Sequence, residues 1–137
     1  MLNDCKSLKG IDDLKYLNTD SCSDFSYMFS GCTSFSDINP LENWNVTNAY
    51  SFDHMFNECW SLSDIKGLEN WNVSNGNNFG SMFSGCSSLS DIKPLENWNV
   101  SKGNDFQGMF FGCSKSLNIE PLQNWNVPKE KLINIIL

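Results

Sequence analysis

The sequence predicts an α/β solenoid of about 4.5 stacked 27-residue turns, each a short helix plus a short parallel strand. Three observations predict it. The nonapeptide Asn78–Cys86 recurs as Asp24–Cys32, Ser51–Cys59 and Asp105–Cys113, each copy 27 residues from the next. Its apolar residues Phe79, Met82, Phe83 and Cys86 stand at i, i+3, i+4 and i+7, one face of an α-helix. The position before that stripe reads Asp24, Ser51, Asn78 and Asp105, four good N-caps, with Gly85 placed to end the helix in a left-handed turn. The letter changes and the chemistry stays, so the unit is structural.

The elements follow in order. Residues 1–16 form a partial repeat in which Cys5, Leu8, Ile11 and Leu14 match Cys32, Phe35, Ile38 and Leu41. Full repeats run 17–43, 44–70, 71–97 and 98–124, so the solenoid spans 1–127. After each helix come apolar residues at every third position, as in Leu89, Ile92, Leu95 and Trp98, a spacing that suits a chain turning corners around a prism-shaped core. Pro40, Pro94 and Pro121 exclude a long central strand there. Asn97-Trp98-Asn99-Val100 alternates and reads as a short strand, with Leu89–Ile92 as the competing assignment. A helix of about seven residues is too short to persist alone, so stacking must hold it. The Trp residues at 44, 71, 98 and 125 are then expected to form a buried column.

Departures mark the ends. Met1–Cys5 aligns with Met28–Cys32, so the chain starts inside a repeat, as a fragment of a longer array would. That leaves an uncapped N-terminal face, expected to be sticky and to self-associate. At the other end Pro128, followed by Leu132, Ile133, Ile136 and Leu137, predicts a capping helix over 128–137.

Composition bounds the function. The chain has 137 residues, 40% of them hydrophobic and only 18% charged, which suffices for one packed domain and does not fit a disordered chain. A formal charge of −7 with no basic patch argues against nucleic acid. An acidic surface suits solubility or a basic partner. No run approaches the roughly 18 apolar residues of a membrane span, and the first ten residues have no signal-peptide core. Cys5, Cys32, Cys59, Cys86 and Cys113 recur once per repeat and read as buried free thiols, with Cys22 standing apart. No Cys-x-x-Cys pair or His cluster is present to build a metal site, and no cofactor is expected.

The units Asn70–Asn75 with Asn78–Leu89, and Asn97–Ser101 with Asp105–Cys113, resemble BspA-like leucine-rich repeats of bacterial surface proteins, lipoproteins and some protist proteins. The resemblance covers 1–127, and Asp37–Leu41 and Asp91–Leu95 resemble the turns of internalin-type repeats. It implies a leucine-rich-repeat-like solenoid that binds proteins, an adhesin or a piece of one, at the cell surface or secreted. The 27-residue period is longer than the common form, and the given chain shows no leader or anchor. The family has no catalytic motif to carry over.

The residues themselves point the same way. The one histidine, His54, occupies a position filled elsewhere by Tyr27, Ser81 and Gly108, which makes it a surface residue; no enzyme activity is expected. Stacking creates acidic ladders, Asp37, Asp64, Asp91 and Glu42, Glu69, Glu96. These could draw a cation such as calcium, but the simpler expectation is Asp carboxylates accepting turn amides while the Glu side chains splay into water. Asn ladders at 43, 70, 97, 124 and 45, 72, 99, 126 are expected at corners, and three glycosylation sequons fall within them as by-products of the repeat.

Trp60 is the anomaly, since Thr33, Ser87 and Ser114 fill its position elsewhere. An exposed Trp is a hot-spot candidate, and with Tyr50, Asp53, His54 and Glu58 of its repeat, flanked by Tyr27 and Phe111, it makes the expected partner patch. Two other readings compete. One is an intracellular scaffold assembling through the uncapped N-terminal face. The other is a glycan-binding array, which requires the Trp column to be exposed.

Overall fold

The computed structural model describes residues 11–137. The backbone of the nonapeptide sets the architecture. In 51–59 the amides of Phe52, His54, Phe56 and Glu58 donate to the carbonyls of Asn78, Gly80, Met82 and Ser84 in the next turn, at 2.7–2.9 Å. The amides between them bond locally, Met55 to the Phe52 carbonyl, Asn57 to His54 and Cys59 to Phe56, at 3.1–3.2 Å. Alternate donors thus serve the next turn and the residue three places back. The same scheme holds in 25–32 and 79–86. It satisfies the amides without a helical i→i−4 ladder.

The predicted α-helix is therefore absent; a row of tandem turns stands in its place. The physical reason lies in the third residue after each cap. Tyr27, His54, Ser81 and Gly108 have φ of 60°, 56°, 52° and 64°, a left-handed conformation that an α-helix cannot contain. Ser, Gly and Asn are poor helix formers, so a lone helix had little to set against bonds to the neighbouring turn. The cap residues keep the predicted kind of bond in a new setting. Asp24, Asn78 and Asp105 accept the amides of Ser26, Gly80 and Gln107 at 2.9 Å, starting the turns.

The predicted short strand is also reduced. Among the described residues parallel pairing occurs only as isolated bridges, Asp24 with Ser51, Ser51 with Asn78, Asn78 with Asp105, Asp37 with Asp64 and Asp91 with Asn118. The second set lies in the Leu89–Ile92 segment, so the competing placement is the one that carries pairing; Asn97–Val100 carries none. After each bridge the chain turns a corner as a short 3-10 helix, Asn39–Leu41, Lys66–Leu68, Lys93–Leu95 and Glu120–Asn124. Proline stands in three of these corners, where its fixed φ suits the first turn.

Like residues lie on like. Phe25, Phe52, Phe79 and Phe106 stack with centroids 5.4–5.9 Å apart, and Phe29, Phe56, Phe83 and Phe110 at 5.5–5.7 Å. The molecule is a repeat solenoid. Trp44, Trp71, Trp98 and Trp125 are 3–5% exposed, and the indole N–H of each donates to a Leu carbonyl 30 residues earlier at 2.8–2.9 Å. Burial of that column removes the glycan-binding array. Cys59, Cys86 and Cys113 point inward too, each thiol donating to a Phe carbonyl of the preceding turn at 3.1–3.2 Å. They and Cys22 are free thiols.

Residues 128–137 lie on the last turn. The Gly108 and Phe110 amides donate to the Asn134 and Ile135 carbonyls at 2.8 and 2.9 Å, and Ile135 is buried. The expected helix is a 3-10 helix over Lys129–Leu132, with Pro128 just before it, followed by further turns. The expectation for the N-terminal face falls on residues 1–10, outside the described residues.

Candidate interaction surface

The tandem-turn row presents one long face to solvent. Its inward positions are Phe, Met, Phe and Cys in every turn, so only the outward positions differ between turns. The left-handed residues Tyr27, His54, Ser81 and Gly108 line the middle of that face. Tyr27 stacks on His54 with ring centroids 4.6 Å apart and planes at 12°. His54 Nδ1 lies 2.9 Å from Asp53 Oδ1.

At the far end of the same turn the Trp60 indole N–H donates to Glu58 Oε2 at 2.6 Å, and Trp60 is 54% exposed. Glu58 has φ of 60°, whereas Gly31, Gly85 and Gly112 hold this position in the other turns, at 73–79°. A non-glycine side chain there costs on the order of 1–2 kcal/mol. At the near end the Tyr50 hydroxyl reaches Asp24 Oδ2 at 3.5 Å. The Asp24 carboxyl is held below its ordinary range, first by the Ser26 hydroxyl and then by the Ser26 amide, with Tyr50 adding a smaller pull.

Six of the seven residues singled out from the sequence therefore make contacts along this face: Tyr50 near Asp24, Tyr27 with His54 and Asp53, Trp60 with Glu58. Phe111, 55% exposed, lines a groove of about 290 Å³ together with Asp53 and His54. The same groove takes in Asp105 and Gln107, which the sequence reading passed over. The signal was present: Gln107 stands two turns on from Asp53 in the same register, a position that varies as Ser26, Asp53, Gly80 and Gln107.

The other faces are plainer. The Asp37, Asp64 and Asp91 carboxylates accept the amides of Asn39, Lys66 and Lys93 at 2.9–3.2 Å, the turn-stabilising role expected of them. Among the described residues no helix is long and apolar enough to cross a membrane.

Comparison with known proteins adds the family. The profile described as "Mycoplasma protein of unknown function, DUF285" matches residues 1–90 and again 37–136. The chain belongs to the DUF285 family. The two overlapping matches are what a repeated unit produces, and together they leave out only Leu137. No curated protein matches this DUF285 chain. Among solved structures it is similar to an internalin C2 from Listeria monocytogenes, at 17% identity and a TM-score of 0.30. The match covers 88% of this chain and 56% of the internalin chain, so the DUF285 chain spans little more than half of that protein.

Proposed function

We propose that this chain is a non-enzymatic protein-binding repeat module of the leucine-rich-repeat-like, BspA-like kind, acting as an adhesin or a piece of one at the cell surface or in secreted form. The observation that carries the reading is the contrast within one face. An unvarying buried row of Phe, Met and Cys supports outward positions that differ from turn to turn and include Trp60, Tyr50, Tyr27 and Phe111, 40–55% exposed. Exposed aromatics on a rigid support give large contact area at low entropic cost, the property of interface hot spots. The reading is non-enzymatic and gives His54 a surface role, paired with Asp53 on an open face and stacked on Tyr27.

The test is adhesion of beads coated with the full chain to cultured epithelial cells. Beads carrying the native chain adhere, and Trp60→Ala with Tyr50→Ala releases most of them. Native beads that hold no better than albumin-coated ones refute the reading.

A further inference from the structure

The groove between His54 and Phe111 holds a feature that the stacking rule does not require. Gly80 is buried at its base, and a side chain begun there would stand 3.2 Å from both Asn78 Oδ1 and Asp53 Oδ1 and 3.3 Å from Asp105 Oδ2. Three side-chain oxygens from three successive turns thus crowd the Gly80 backbone; Asn78 Oδ1 is taken up by the Gly80 amide at 2.9 Å, and the Asp53 and Asp105 carboxylates line the groove. The tandem-turn segments 24–32, 51–59, 78–86 and 105–113 contain Asp24, Asp53, Glu58 and Asp105 and no lysine or arginine. The lysines beside the start of the last segment are held elsewhere, Lys131 by the Gly103 carbonyl and the Asn104 side chain at 3.4 and 2.8 Å and Lys102 by the Asn75 side chain at 3.0 Å. One wall of the groove is the half-exposed Phe111 ring.

Resting on the interaction-module reading above, we infer that this groove takes an arginine side chain from the partner protein. Two carboxylates meet a planar guanidinium with several donors at once, and an aromatic wall accepts its face and stem. A lysine ammonium is a compact point charge that neither stacks nor forks, so it gains less from the same walls. The uniformly acidic face also steers a basic segment toward the groove.

The experiment titrates the full chain with short labelled Gly/Ser peptides carrying arginines, lysines, glutamates or no charge, read by fluorescence anisotropy at physiological salt. The arginine peptide binds best, and Asp53→Asn with Asp105→Asn weakens it about tenfold or more. Asparagine already fills the Asp105 position at Asn78, and the Asp53 position already varies, so these variants fold. Asp64→Asn with Asp91→Asn removes equal charge from another face, at a position where the last repeat has Asn118, and changes binding by less than about twofold. Phe111→Ala weakens arginine binding at unchanged charge.

Equal losses in the two double variants, or equal binding of lysine and arginine peptides, overturn the groove in favour of diffuse charge. Binding of neutral or acidic peptides alone overturns it while leaving the interaction module standing. No binding by any peptide overturns the groove, and only inert beads in the adhesion assay take the wider reading with it.

Discussion

Gly67 offers the sharpest test of the stacked packing. It holds the corner position that is Pro40, Pro94 and Pro121 in the other turns, so a consensus argument expects Gly67→Pro or Gly67→Ala to stabilise by about 0.4–1 kcal/mol through the unfolded chain. The structure predicts the opposite sign. A Cβ at 67 would lie 2.6 Å from the Ile38 carbonyl oxygen and 3.1 Å from Asn39 Cα, both backbone atoms of the preceding turn. That oxygen also accepts the Leu41 amide at 2.9 Å, so it cannot retreat without disturbing the corner. Overpacking of this kind costs about 1–3 kcal/mol. Against the entropic gain, Gly67→Ala loses about 1–2 kcal/mol net, which lowers Tm by roughly 3–8 °C in a chain of this size.

Gly76→Ala is the internal control. There the close atom is Cζ of Phe79 at 2.5 Å, a movable ring edge, and Ala49 already occupies the equivalent position beside Phe52. Its cost stays below about 1 kcal/mol, within what small repacking demands. Urea unfolding followed by tryptophan fluorescence ranks the two. A Gly67→Ala chain as stable as the native one, or more stable than Gly76→Ala, refutes the stacking geometry.

Other outcomes follow from the same contacts. Iodide reaches one of the five tryptophans, Trp60, since the other four are 3–5% exposed; Trp60→Phe therefore removes most of the quenchable emission. Trp71→Phe loses the indole bond to the Leu41 carbonyl and some buried area, lowering stability by about 2 kcal/mol in urea titration, although that carbonyl keeps the Trp44 amide. Glu58→Gly relieves the left-handed strain and raises stability by about 0.5–1 kcal/mol, while weakening partner binding by freeing Trp60. Burial raises the thiols of Cys59 and Cys86 well above the ordinary range and pushes Cys113 up to about 12. Unfolded thiols ionise near 8.5 while these stay protonated, so stability is intact below that pH and falls toward pH 12. The slope reaches about 1.4 kcal/mol per unit for each thiol, and Cys86→Ala makes the measured decline shallower.

The period, the inward residues and the stacking were legible because a repeat exposes them several times over. Phe25 and Phe29, Phe52 and Phe56 had to face inward under any regular structure, since positions four apart share a side in both a helix and an alternating chain. That same coincidence explains the helix error. Met55 and Cys59, at the third and seventh places, tilted the pattern toward a helix, whereas the turns bring them inward by bending at His54. The left-handed residue hides in sequence because Tyr27, His54 and Ser81 are not glycines. Glu58 was visible as a difference but not as strain, which required reading Gly31, Gly85 and Gly112 as a left-handed set. The groove escaped because Asp53 and Asp105 lie 52 residues apart, and their approach to one another depends on a residue without a side chain at Gly80.

Because each row of amides finds its acceptors in the following row, the molecule can be shortened by one whole unit without leaving a seam. Joining Tyr50 directly to Asn78 would set Ser23 and Phe25 against the same kinds of groups they meet now, and the closing contacts of Asn134 and Ile135 would be untouched. A cut of any other size would shift the phenylalanine stacks out of alignment, so length in this protein comes in steps.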